Sequence, residues 1–240
     1  MSIEERFGGE RAGRYDEGIR MAVPGYEALH DMAHSLLRLE LEERARLLIA
    51  GAGTGAEILG LGVKEPGWSF TGADPSPDMI AVASRRAAEG GLAHRTDLRV
   101  GYVHDLPASP APYDAATAIL VMHFLPDDGH KLEFLQSISA RLRPGALLVL
   151  ADLCGDPASA RFSRFFAAWR LRQLALRMEE KDVEDGLRDL RSVVRFIPEE
   201  RVVALLCEAG FDSVERFYGA LLFGGWVARK SIDATVTTAR

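Results

Sequence analysis

Residues 47–57 read LLIAGAGTGAE, and this stretch decides the fold. An apolar run ends in glycines at every second position, Gly51, Gly53 and Gly55, and a helix-forming segment, AEILGLG, follows. This is the profile of a buried parallel strand that turns sharply into a helix. Glycine permits the tight turn and lets backbone N–H groups come close to a ligand. The next strand candidate, WSFTGA, closes on Asp74, at the strand end where open α/β sheets place their ligands. A carboxylate there can accept both hydroxyls of a ribose. An aspartate in that place also makes a good helix N-cap. Together the glycine turn and Asp74 propose a nucleoside-containing cofactor.

Outward from this point, strands and helices alternate. Strands are expected at residues 46–50, 68–73, 97–101, 113–122 and 146–152. Helices are expected at 56–62, 77–88 and 128–142, with a turn at Arg143-Pro144-Gly145. That alternation predicts a doubly wound, Rossmann-like parallel sheet of the α/β class. Before it, residues 26–39 (YEALHDMAHSLLRL) carry apolar positions at helical spacing, and the polar Gly/Arg-rich start of the chain is expected to stay mobile until a ligand binds. After Asp152 the rhythm changes. Residues 157–195 read as almost wholly helical, 198–209 as a further helix, and 213–228 as a β-hairpin turning at Gly219 that adds an antiparallel pair and brings the sheet to seven strands. The implied organisation is a helical leader or cap (1–45), a cofactor-binding core (46–153), a helical insertion or lid (154–197), and a C-terminal helix and hairpin (198–240) that complete the core.

The totals fit one sizeable core: 240 residues, 48% of them hydrophobic. A net charge of −6 and a pI near 5.6 give no global attraction to nucleic acid or anionic membrane. Cys154 and Cys207 form no metal or redox motif, the first residues lack an apolar signal core, and no run approaches the length of a membrane span. A cytoplasmic location is the expectation.

Five segments taken in order resemble the class I S-adenosylmethionine-dependent methyltransferases. They are GAGTG (51–55), DPSPDMI (74–80), YDAATAILVMHFLPDD (113–128), RLRPGALLVLADL (141–153), and AGF (209–211) before the hairpin. The resemblance implies S-adenosylmethionine as cofactor, S-adenosylhomocysteine as product, and methyl transfer to a small-molecule acceptor by in-line displacement. The leader RYDEGIRMAVPGYEALHDMAHSLL is similar to that of the carboxy-S-adenosylmethionine synthase family, which also has a helical insertion after its fifth strand. A cofactor-modifying enzyme of that kind is the alternative, and a non-catalytic cofactor-binding protein is another. The chain departs from the synthase family at Tyr102, where that family has aspartate, and near Ile119, where it has asparagine. Arg188 and Arg191 only flank the position of its carboxylate-binding arginine. The acidic residue usual in the superfamily two places before the first glycine is Ile49 here. By spacing alone, Gly51-x-Gly53-x-x-Ala56 also fits a dinucleotide fingerprint.

The resemblance assigns cofactor contacts to Gly51, Ala52 and Gly53 at the methionine end and ribose, to Asp74 with Pro75 beside it at the ribose, and to Val103 beside the adenine, on which Tyr102 can stack unless it lines the substrate pocket instead. Tyr26, in the VPGY turn, contacts the cofactor in the synthase family, and Arg20 can pair with the methionine carboxylate. Tyr15, Arg20 and Tyr26 can close over the ligand. His123, after the fourth strand, can take a proton from an attacking hydroxyl, amine or thiol, or can serve packing alone. His30 and His34 stand at i, i+4 without an evident third ligand, so a packed or solvated face is the simpler reading. Arg161, Arg164, Trp169, Arg170 and Arg172 share the insertion with Phe162, Phe165 and Phe166, which suits a lid, a homodimer face or a solvated amphipathic helix.

Overall fold

In chain order the helices are α1 (Glu10–Ala22), α2 (Tyr26–Glu40), α3 (Ala56–Lys64), α4 (Pro77–Glu89), α5 (His130–Ser139), α6 (Ala160–Ala175), α7 (Glu180–Val193) and α8 (Glu199–Glu208). The strands are β1 (Arg46–Ala50), β2 (Ser69–Asp74), β3 (Thr96–Val100), β4 (Tyr113–Ile119), β5 (Leu142–Leu153), β6 (Phe211–Ala220) and β7 (Phe223–Lys230). They come from a computed structural model that describes residues 10–108, 111–176 and 179–232. One seven-stranded sheet runs β3-β2-β1-β4-β5-β7-β6. Strands β1 to β5 are parallel, and β7 pairs antiparallel with both β5 and β6.

Strand β1 explains why the sheet is buried on both sides. Leu47, Leu48, Ile49 and Ala50 are all at most 1% exposed, as a central parallel strand requires. Alternate residues feed two cores. Leu48 and Ala50 join Ala116, Ala118, Leu148 and Leu150 on the face covered by α5 and α8. Leu47 and Ile49 join Ala115, Val149, Ile58 and Leu61 on the face covered by α2 and α3. The sheet order reverses direction at β1, whose neighbours are β2 and β4, so a crevice opens at the carboxyl ends of these strands.

Several expected elements are adjusted. The Arg143-Pro144-Gly145 segment is a bulge inside β5 rather than a turn before it: Leu142 already pairs with Tyr113, and the register shifts before Ala115 meets Leu147. Gly145, at φ 75°, makes that kink. The hairpin turns at Leu221-Leu222, not at Gly219, which sits in register opposite Gly224. Leu221 accepts the left-handed conformation (φ 55°), and Leu222 is buried, with its carbonyl accepting from Cys154 N–H. Helix α1 starts at Glu10, inside the stretch expected to be mobile. Residues 1–9 of that stretch lie outside the described residues. Among the described residues, no helix is long and apolar enough to cross a membrane.

Candidate active site

The crevice at the switch point holds a cleft of about 1030 Å³, part of it open to solvent, at the upper end of the size range of small-molecule sites. Its floor is the glycine turn, the end of β2 and the segments after β3 and β4. Gly51, Ala52, Gly53, Asp74, Pro75, Tyr102 and Val103 all line it, as does Tyr26 from the roof. The three glycines do different things. A Cβ on Gly51 (φ 76°) would collide with Val121, and one on Gly55 (φ 78°) would press on Ala83 at 3.0 Å. These two make close packing possible. A Cβ on Gly53 (φ 50°) would meet nothing within 4 Å, so the middle glycine faces the cleft.

The amides of the turn are less free than the sequence suggests. Gly51 and Ala52 N–H both donate to the Ala73 carbonyl, at 2.8 and 3.0 Å. Gly53 N–H donates to Asp74 Oδ2 and Ser76 N–H to Asp74 Oδ1, each at 2.9 Å. Asp74 therefore ties the turn to the strand end. It is not the cap of α4. Ser76 has that role, its hydroxyl accepting from Met79 N–H. Burial raises the Asp74 carboxyl above the usual range, against the pull of the two amides. Asp105 caps its own turn by accepting from Tyr102 N–H at 2.9 Å. Tyr102 is partly exposed and stacks on His104.

Helices α1 and α2 make the roof. Asp16 is the latch: its carboxylate accepts from the Thr54 hydroxyl at 2.6 Å and pairs with Arg86 at 2.5 Å. Tyr15 and Ile19 follow it over the cleft. Burial holds the Tyr15 and Tyr26 phenols protonated, Tyr26 being pushed up to about 12. The far end of α1 is tied down by α6 and β6. Trp169 Nε1–H donates to the Ala22 carbonyl at 2.6 Å, Arg172 donates to the Met21 carbonyl, and the Tyr218 hydroxyl donates to the Pro24 carbonyl.

Arg20 does not line the cleft. It pairs with Glu27 at 2.6 Å and lies over the Tyr26 ring. His34 bonds Glu65 at 2.7 Å, while His30 packs edge-on against Tyr26 and its Nε2 is buried without a partner among the described residues. Burial pushes His30 down to about 4. Arg188 pairs with Asp185, and Arg191 stacks on Phe166. Neither lines the cleft. Two further insertion arginines serve the insertion's own helices. Arg170 binds Glu180 and Glu184, holding α6 to α7, and Arg161 covers Phe165.

His123 sits next door. A smaller apolar chamber of about 550 Å³ adjoins the cleft, and Tyr15, Ile19, Leu120 and Phe124 line both. Trp169, Leu190, Val193 and Phe223 close its outer side, and His123 is in its wall. His123 is 4% exposed and Asp152 only 1%. The two are hydrogen-bonded through Nδ1 and Oδ1. Asp152 also accepts from Leu153 N–H at 3.0 Å, and Lys131 is buried nearby with its Nζ donating to the Met122 carbonyl.

Sequence reading missed three residues. Asp16 gave no signal, because its partners stand 38 and 70 positions away. Asp152 reads as the end of a strand, with nothing to mark His123 as its partner. Glu57 is the last letter of the diagnostic stretch and lines the cleft. Its carboxyl is pushed up to about 7 by burial.

A methyltransferase domain model matches residues 48–148. The chain is 26% identical to a carboxy-S-adenosyl-L-methionine synthase from Chromohalobacter salexigens, over 90% of this chain and 80% of that one. It is 29% identical to a ubiquinone biosynthesis O-methyltransferase from Cereibacter sphaeroides, over 71% of this chain and 62% of that one. An O-methyltransferase family 2 protein from Planctomyces limnophilus, solved with apigenin, has the same fold. That match has TM-score 0.57 and 18% identity, and spans 79% of this chain and about half (51%) of that one.

Proposed function

We propose that the chain, whose residues 48–148 match a methyltransferase domain model, is a class I S-adenosylmethionine-dependent methyltransferase and that it methylates a hydroxyl on a small, largely apolar acceptor held in the chamber beside the cleft. The observation that carries this reading is the junction of the two cavities, with the buried His123–Asp152 pair in the chamber wall.

The residues of the cleft fit the cofactor. Gly53 opens onto free space, Asp74 stands at the strand end for the sugar, and Val103 with Tyr102 offers an apolar bed for a purine. When bound, S-adenosylmethionine supplies an electrophilic methyl group on a sulfonium. The chain has two tasks: to align the acceptor oxygen with that carbon and to exclude water. Tyr15, Ile19 and Phe124, shared by the two cavities, form the collar across which alignment is set. Methylation of a hydroxyl would leave its proton to be taken up at the chamber wall, where His123 would receive it. Asp152 accepts from His123 Nδ1–H, which fixes the tautomer with Nε2 as proton acceptor. The apolar lining from Trp169, Leu190 and Phe223 supports a flat or aliphatic acceptor over an anionic one.

A second reading, a carboxy-S-adenosylmethionine synthase, is favoured by the length of the match to that enzyme. Arg188 and Arg191 are engaged outside the cleft, which counts against it. The test is a panel of phenols and aliphatic alcohols incubated with S-adenosylmethionine, with mass spectrometry of products and of copurified ligand. Acceptor-dependent S-adenosylhomocysteine formation supports methyl transfer. A carboxylated cofactor on the purified protein supports the synthase instead. Tight cofactor binding with no turnover on any acceptor contradicts both. The free thiols of Cys154 and Cys207 and the absence of a membrane-length helix among the described residues support a cytoplasmic site of action.

A further inference from the structure

The cofactor of this reaction is a zwitterion at its amino-acid end, and its ammonium needs an acid. Among the described residues lining the cleft, the carboxylates are Asp16, Glu57 and Asp74. Asp16 is committed to Thr54 and Arg86, and Asp74 to the Gly53 and Ser76 amides. Glu57 alone of the three has neither a cation nor a backbone amide bonded to its carboxyl among the described residues. It is on the first turn of α3, immediately past the glycine turn.

Glu57 stands at the end of the cleft that α2 covers. It lines both the cleft and a second cavity beside it, and Tyr26, His30 and Ala56 line both with it. His30, with its unpartnered Nε2, and Tyr26 line the same end of the cleft.

We propose that Glu57 receives the α-ammonium of S-adenosylmethionine, and so supplies from the helix the negative charge that Ile49 cannot supply from the strand. This rests on the methyltransferase reading of the cleft. A carboxyl held in a desolvated place without a counter-charge is costly in the ligand-free protein. A bound ammonium relieves that cost, which converts the burial into selectivity for a ligand with an intact amino-acid end. The titratable groups that share the cleft with Glu57 are Tyr15 and Asp16 from α1, Tyr26 and His30 from α2, and Asp74 from β2; the cavity on its other side adds Arg20 from α1, Glu27, Asp31 and His34 from α2, and Lys64 from α3 itself. The burial that raises the carboxyl to about 7 makes the effect dependent on pH near neutrality.

The experiment is calorimetric titration of wild type and Glu57→Gln with two ligands. S-adenosylhomocysteine carries the amino-acid end, and 5′-methylthioadenosine lacks it. Glu57→Gln is expected to weaken S-adenosylhomocysteine by about 30-fold, the scale of a lost hydrogen bond to a charged group. Methylthioadenosine affinity is expected to stay within about twofold, which also shows that the variant is folded. Wild-type affinity for S-adenosylhomocysteine relative to methylthioadenosine should rise about tenfold from pH 6 to pH 8 as the carboxyl ionises, and this rise should vanish in the variant. Asp74 contributes equally to both ligands and cancels in the ratio. Equal losses for the two ligands, or none for either, overturn the assignment while leaving the methyltransferase reading intact. A wild-type protein that binds neither ligand overturns the reading beneath it.

Discussion

The floor and the roof of the cleft are built by different means. The floor is the carboxyl edge of β1, β2 and β4, where the glycine turn is fixed by hydrogen bonds between near neighbours in the sheet: Gly51 and Ala52 to Ala73, Gly53 to Asp74. The roof is α1 and α2, held by side chains from distant parts of the chain. Trp169 reaches across 147 positions to Ala22, and Tyr218 across 194 to Pro24. A cofactor site can be made by the first method alone, because any sequence with the right turn reproduces it. An acceptor site needs the second, since the roof and the insertion supply most of the chamber wall. Recognition of the shared cofactor is local. Recognition of the particular acceptor is tertiary.

The largest expected effect tests the seam between them. His123→Gln keeps the shape of the chamber and removes the proton acceptor, so turnover should fall by about 10²–10³-fold with S-adenosylhomocysteine affinity unchanged. Steady-state kinetics beside calorimetry reads both, and an unaffected turnover number returns His123 to a packing role. On the floor, Asp74→Ala removes the acceptor for both sugar hydroxyls and the tie to Gly53 N–H. Cofactor affinity should drop about 100-fold, roughly two charge-assisted hydrogen bonds. Gly51→Ala places a methyl against Val121 at φ 76°, and should cost about 2 kcal/mol of stability by denaturant melts. A variant as stable as wild type contradicts the rigid-floor picture.

How much of this was legible follows the same division. The strand, turn and helix around residues 47–57, the acid at the end of β2, and the succession of seven strands along the chain are readable because each is a short pattern with a direct steric or hydrogen-bonding cause. The hairpin turn was misplaced because Leu221 takes a left-handed conformation that its residue type disfavours, held by burial of Leu222. Gly219 was the obvious local signal, but tertiary packing overrode it. The bulge at Pro144-Gly145 reads as a turn in the sequence because both use the same residues. Arg20 reads as a carboxylate clamp, while in the structure it pairs with Glu27 on the first turn of the next helix, α2. The latch at Asp16 and the His123–Asp152 pair exist only once the sheet has brought separate segments together.

Smaller effects probe the roof. Asp16→Asn keeps the size of the latch and removes its charge toward Arg86. Because a partly exposed ion pair is worth little, cofactor affinity should fall by only about three- to tenfold, while proteolytic cleavage within α1 accelerates. Unchanged cleavage would mean that α1 is held by Trp169 and Tyr218 alone. The smallest effect concerns Glu57 and stability. Its folded-state carboxyl is raised from 4.5 to about 7, so the native state binds the proton more tightly than the unfolded chain. Ligand-free stability from this group is full below the unfolded value, declines as pH rises toward 7, and is lost above it. Glu57→Gln should therefore raise the melting temperature of the ligand-free protein at pH 8 by a few degrees, of order 1 kcal/mol, and change it little at pH 4. A lower melting temperature at pH 8 would contradict the burial of an uncompensated charge.

The most direct measurement is a crystal structure of the complex with S-adenosylhomocysteine. The account predicts the sugar hydroxyls on Asp74, the amino group at Glu57, and the sulfur directed across the Tyr15–Phe124 collar toward His123. Density for the ligand elsewhere on the molecule, or a sulfur turned away from the chamber with His123 sealed behind side chains, would contradict it.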